Sequence, residues 1–224
     1  MPETIYMVDT GPNEDGHIQK YSPTWAVSRS ATTGTTVSDS GSSSIYAIRT
    51  EIQSMGRGGA TCFISRAFFQ FNVEGIRTRP NSAKLMIYGA GNGDGRVNCV
   101  KALDSMPYLS TSDFDNIDGW VNTSDGLGTG NNASNVTYYA SELGAWSTSG
   151  YNEFLLNDTA LNDLGYSGTF AVCLLDRYDL RDLSIGAGNS NINGVWYSEN
   201  TGTSKDPKIE YEPGTPSVFF GANF

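Results

Sequence analysis

One imidazole, three thiols, four indoles and a surplus of carboxylates are the side chains that could do chemistry in this 224-residue chain. His17 is the sole histidine, and an imidazole is the group that most readily serves as a base or zinc ligand near neutral pH. A catalytic triad or a histidine-based zinc site would have to use it, yet neither His-Glu-x-x-His nor Gly-x-Ser-x-Gly occurs. His17 follows Asp15-Gly16 and leads into Ile18-Gln19-Lys20-Tyr21, so it reads as an ordinary polar residue of a first strand. Asp and Glu total 24, but a glycosidase pair is defined by a separation in space that no sequence displays. No residue is assigned a catalytic role, and a non-enzyme is expected.

The thiols and two glycine-rich loops hold the remaining options. Cys62, Cys99 and Cys173 each lie inside an apolar run and far from one another in sequence, the pattern of reduced core residues rather than of a disulfide framework or metal cluster. Gly56-Arg57-Gly58-Gly59 lacks a following Lys-Ser or Lys-Thr and runs into a strand, so it reads as a loop and not as a phosphate cradle. Asn92-Gly93-Asp94-Gly95 reads first as a turn. A structural calcium ion, which takes oxygen ligands from such loops, is its alternative, and no other cofactor is expected. Trp25, Trp120 and Trp146 are the candidates for stacking a sugar ring by its C–H face.

Strands must position all of these. In residues 63–88, Phe69, Phe71 and Val73 alternate with Gln70, Asn72 and Glu74, and Ala83, Leu85 and Ile87 alternate with Lys84, Met86 and Tyr88. That is the period of strands with one drier face. The polar connector 75–82 can continue neither strand. Residues 89–96 predict a hairpin tip leading to a strand at 97–103. Residues 169–175 are apolar on both faces and predict a covered central strand. Asn157-Asp158-Thr159 predicts the cap of a short helical turn over 159–164, ended by Gly165. Residues 28–44, rich in Ser, Thr and Gly, predict solvated backbone, and 176–182 (D-R-Y-D-L-R-D) a solvated turn with weak ion pairs. The long region 104–150 is polar but punctuated by Phe114, Trp120, Tyr138, Tyr139 and Trp146, which are expected to anchor it. Residues 195–198 and 208–211 predict the last strands.

Composition bounds the rest. One all-β domain fits 224 residues with 26 glycines and no break in composition. A formal charge of -10 and a pI near 4.4 repel nucleic-acid phosphates and anionic lipid. No nucleic-acid or membrane partner is expected. The start, Met1-Pro2-Glu3-Thr4-Ile5, has no basic segment or long apolar run of a secretory signal, so synthesis and folding inside a cell are expected. After residue 211 the tail contains Val218, Phe219, Phe220 and Phe224, too apolar to lie comfortably in water, with prolines and glycines that oppose helix. It predicts contact with a neighbouring subunit or a fold-back over its own domain.

Asp15-Gly16, the F-F-Q-F-N-V run at 68–73, S-A-K-L-M-I-Y at 82–88, D-G-W-V-N at 118–122, W-Y-S-E at 196–199 and D-P-K-I-E-Y at 206–211 occur in the order of a known domain type. Together they resemble the DNRLRE-type domain, a jelly-roll β-sandwich related to carbohydrate-binding modules and found in bacterial surface and phage virion proteins. The DNRLRE signature itself is absent. The resemblance implies a single antiparallel jelly-roll β-sandwich over residues 15–211 with long loops and at most short helical turns. Residues 1–14 would form an N-terminal arm and 212–224 an extended interaction tail. It further implies a virion location: a non-catalytic structural protein of a phage particle, as a capsid decoration, cement, head-fibre or tail subunit, touching other virion proteins or its own copies. The alternative is a carbohydrate-binding or host-adhesion module that takes a host surface glycan.

Overall fold

A computed structural model describes residues 1–7, 15–38, 41–103, 108–128, 132–199, 201–202 and 204–215. In chain order its elements are β1 (Glu3–Tyr6), β2 (Asp15–Ser22), α1 (Trp25–Arg29), β3 (Thr36–Ser38), β4 (Ser43–Met55), β5 (Gly59–Asn72), β6 (Ser82–Gly93) and β7 (Val97–Lys101). There follow α2 (Asn132–Asn135), β8 (Tyr151–Leu155), α3 (Asp158–Tyr166), β9 (Thr169–Asp176), α4 (Arg177–Arg181), β10 (Ser190–Trp196) and β11 (Lys208–Glu212). Every strand pair is antiparallel. The all-β sandwich expected from the sequence is the fold observed. Among the described residues no helix is long and apolar enough to cross a membrane.

A front sheet runs β1-β11-β6-β8 and a back sheet β3-β2-β5-β9-β7, while β4 and β10 join them through β5 and β6. The two alternating runs in 63–88 are therefore not partners: β5 and β6 lie in opposite layers. Phe69, Phe71 and Val73 face Leu85 and Ile87 in one core with Val172, Leu174, Phe154 and Ile209. The opposite face of the back sheet is apolar too, with Ile18, Ile64, Phe68, Cys173 and Leu175 packed under Trp25, Phe114, Ile117, Val136 and Leu180. A third layer of loop and short helix covers it. Hence β9 is apolar on both faces, as its sequence predicts. The anchoring role of the 104–150 aromatics is also observed: Phe114, Trp120 and Tyr138 pack on the outer core, Tyr139 and Trp146 on the inner.

Four sequence expectations need correction. No hairpin forms at 89–96: β6 continues to Gly93, and β7 pairs with β9 in the other sheet. The chain is held at this crossing because the Asp94 amide donates to the Ile192 carbonyl (3.1 Å) and the Gly95 amide to Asn193 Oδ1 (3.1 Å). Helix α3, capped as expected by Asn157 accepting from the Ala160 amide (3.0 Å), does not end at Gly165. That glycine stands inside the helix because a Cβ there would lie 2.6 Å from the backbone of Arg79. In residues 28–44, Ser28 and Arg29 are buried in α1 instead of solvated. The region 176–182 is not a solvated turn either: Asp176, Asp179 and Asp182 are at most 1 % exposed. Each has specific donors that offset its burial. Asp176 caps α4 through the Tyr178 amide (2.8 Å) and accepts from Thr50 Oγ1 (2.9 Å), Asp182 accepts from Trp25 Nε1 (2.8 Å) and Ser124 Oγ (2.6 Å), and Asp179 binds Arg66.

That last pair joins the layers. Arg66 of β5 is fully buried and gives Nε and Nη2 to the two Asp179 oxygens at 2.6 and 2.9 Å, and Nη1 to the Phe114 carbonyl at 2.7 Å. Buried arginine gains from such a fork because its planar donors match a carboxylate. Asp179→Ala should lower the unfolding free energy by about 3–5 kcal/mol, since it strands a buried guanidinium. Guanidinium chloride midpoints measure this, and a change under about 1 kcal/mol would mean the pair acts like a surface ion pair.

Candidate functional site

The chemically versatile groups turn inward. His17, on β2, is 8 % exposed, and its Nδ1 lies 3.0 Å from Tyr197 Oη in a hydrogen bond within the sandwich. Burial holds its pKa down, to about 4, so the ring is neutral at physiological pH. Two residues earlier Asp15, 1 % exposed, accepts from the Ser198 amide (2.8 Å) and Ser198 Oγ (3.0 Å). Burial, then the neighbouring Glu199 carboxylate, push its pKa up to about 8 against the lowering effect of the Ser198 bonds. Cys62, Cys99 and Cys173 are free and buried, and burial raises all three thiol pKa values.

Two of the three candidate sugar platforms are also inside. Trp25 is 6 % exposed and tied to Asp182, and Trp146 is 7 % exposed with Nε1 donating to the Gly194 carbonyl at 3.0 Å. Neither ring has a face free for a sugar, because each fills a core that its hydrophobic area helps to build. Trp120 is half-buried, with the guanidinium carbons of Arg66 and Arg29 4.0 and 4.1 Å from its ring. Trp25 and Trp120 belong to the outer core and Trp146 to the inner one, so the three do not form one platform. Among the described residues, no group of three or more His, Cys, Asp or Glu side chains is placed to hold a metal ion. Val218, Phe219, Phe220 and Phe224 of the expected subunit-contacting tail lie outside the described residues.

The outward chemistry is on the front sheet. Because Leu85, Ile87, Phe154 and Ile209 point into the core, the intervening residues of β6, β8 and β11 point out. Tyr88 and Tyr151 stand directly opposite each other across the β6–β8 ladder and meet edge to face, with ring centroids 5.1 Å apart. Beside them, Trp196 ends β10 on the face opposite to buried Val195 and Tyr197, and Lys205 Nζ sits 3.6 Å from its ring centroid and 5.7 Å from that of Tyr88. Lys208 lies 4.6 Å from the Tyr151 ring and pairs with Glu210 at 2.9 Å. Ser42, Trp196, Thr201, Ser204 and Lys205 line a cleft of about 300 Å³ here. Aromatic rings, hydroxyls and an ammonium group are together suited to hold a polar ligand with an apolar face. Further along the same face, Lys84 bridges Glu153 (3.1 Å) and Glu210 (3.4 Å).

The sequence reading missed Tyr88, Tyr151, Trp196 and Lys205 as a group. A signal for Trp196 and Tyr88 was present, since each alternates with core residues in its own strand. What joins them is pairing between strands over 60 residues apart, which no local pattern contains. Compared with known proteins, the chain matches no protein-family model and no curated protein. The class that fold and surface define is an antiparallel β-sandwich whose front face, among the described residues, bears aromatic rings and lysines.

The corner formed by Asp15 and His17 has a consequence for pH. The folded state keeps the Asp15 proton up to about pH 8, whereas an ordinary Asp releases it near 3.8. Stability from this group is thus complete below pH 4 and is lost as pH rises towards 8. His17, whose folded pKa is lowered, acts in the other direction, and only as pH falls from 6.5 towards 4. Between pH 6.5 and 8 Asp15 dominates, so the guanidinium chloride midpoint should fall with rising pH. Asp15→Asn should flatten that slope, and a wild-type midpoint constant over this window would refute the assignment.

Proposed function

We propose that the protein is a non-catalytic structural subunit of a phage particle, which presents its front sheet outward and meets neighbouring virion proteins or copies of itself. The observation that carries this reading is the asymmetry of the sandwich. The back sheet is closed by the third layer, and the front sheet leaves Tyr88, Tyr151, Trp196, Lys84 and Glu153 at its surface. The burial of His17 and of the three thiols supports a non-catalytic role. The virion assignment rests on the ordered motifs, of which those at 68–73, 82–88 and 206–211 fall largely on β5, β6 and β11. The phenylalanine-rich tail is the segment assigned to subunit contact, and it leaves β11 beside residues 79–81, where Asn81 Nδ2 donates to the Pro213 carbonyl (3.0 Å).

A second reading, a carbohydrate-binding or host-adhesion module, is favoured by one specific observation: the aromatic–lysine cleft at Trp196. The two readings are compatible, since a virion subunit can bind a host glycan.

Deleting residues 216–224 should abolish incorporation into particles, or self-association in solution, while leaving the thermal melting curve of the sandwich unchanged. Particle composition by gel and light scattering of the purified chain measure the two effects. Normal incorporation together with unaltered self-association would overturn the role of the tail.

A further inference from the structure

We infer that the cleft lined by Ser42, Trp196, Thr201, Ser204 and Lys205 is a binding site for an acidic sugar, a glycan residue that bears a carboxylate on its ring. The inference rests on the glycan reading of the front face and adds the chemical class of the ligand. Three features carry it.

The first is charge. The chain has 24 acidic and 14 basic side chains, and Lys84, Lys101 and Lys208 are each within 3.1 Å of a carboxylate oxygen. Lys205 makes no ion pair among the described residues. Its ammonium group contacts the rings of Trp196 and Tyr88 instead. An aromatic ring attracts a cation without neutralising it, so Lys205 keeps a full charge available to an anion.

The second is construction. Tyr151 Oη lies 3.2 Å from the Ser204 carbonyl and 3.1 Å from the Asp206 carbonyl, the residues on either side of Lys205. Tyr151 is itself fixed in β8 and against Tyr88, whose Oη donates to the Ser149 carbonyl at 2.6 Å. The sheet thereby holds the backbone of Lys205 in place above the aromatic pair, and a site organised in advance loses less on binding.

The third is the match to a pyranose. A cleft of about 300 Å³ lies at the lower end of the range for small-molecule sites, enough for one sugar unit. The hydroxyls of Ser42, Thr201 and Ser204 can exchange hydrogen bonds with ring hydroxyls, the exposed part of Trp196 offers apolar surface to C–H bonds, and Lys205 takes the carboxylate. A neutral sugar would leave the ammonium group without its partner.

Titration of the full chain with sialyllactose and with trigalacturonic acid, against neutral lactose, tests this by tryptophan fluorescence and by amide shifts in two-dimensional NMR. At least one of the carboxylated probes should bind, shifting the amides of Trp196, Ser204 and Lys205. Lactose should bind about tenfold more weakly or not at all. Lys205→Met should remove the preference for the acidic probe and its salt dependence, while Lys205→Arg should retain both, with melting temperatures showing that each variant is folded. Equal binding of acidic and neutral probes would overturn the assignment of the carboxylate but leave the glycan reading standing. No binding of any probe, or acidic binding unchanged in Lys205→Met, would overturn the site itself.

Discussion

The bidentate pair between Arg66 and Asp179 is the interaction on which the layering depends. Burying two charges is costly, and the structure offsets it by using nearly every donor. Arg66 reaches Asp179 twice and the Phe114 carbonyl once, and Arg29 gives Nε to the Asp179 carbonyl and Nη1 to the carbonyls of Val121 and Thr123. Phe114 and Trp120 cover the guanidinium planes. The offset is incomplete. Arg29 Nη2 is buried and has no hydrogen-bond partner among the described residues, and burial lowers the Arg29 pKa to about 10 despite Asp179 and Asp182 nearby. With this network in place, α1, α4 and residues of the segments 109–128 and 132–138 form a lid over the apolar outer face of the back sheet.

That lid explains where a function can reside. It closes one side of the sandwich, and the inner core closes the other face of the same sheet, so the histidine, the thiols and two of the four tryptophans are all spent on packing. Among the described residues no such layer covers the front sheet, and its outward side chains lie at the surface. The same alternation that fills the core with Leu85, Ile87 and Phe154 displays Tyr88, Tyr151 and Glu153 on the surface. Core and candidate site are two faces of one pattern.

Much of the fold was legible locally. The alternation in 69–74 and 83–88, the two-sided apolar run at 169–175 and the Asn157 cap each appear in the structure, because period and capping act over a few residues. The misreadings share a cause. Arg66 stands between Ile64 and Phe68 on an apolar face, a sign that it would be buried, but its partner Asp179 is 113 residues away in a run whose charges look solvated. Likewise the glycines at 89–95 suit a hairpin tip, and only pairing with β10 carries the chain across to the other sheet. Trp25 and Trp146 offered no local sign of whether they would stack a sugar or fill a core.

By itself the sequence determined the strand periods, the all-β class, the acidic surface and the reduced state of the cysteines, since these follow from composition and from spacing within single elements. Tertiary structure alone decided that β5 and β6 face each other rather than pair, that three aspartates in 176–182 are buried, and that Tyr88, Tyr151, Trp196 and Lys205 share one patch. The physical reason is that burial and charge pairing depend on distances in space between residues far apart in the chain, and those distances exist only once the layers have packed.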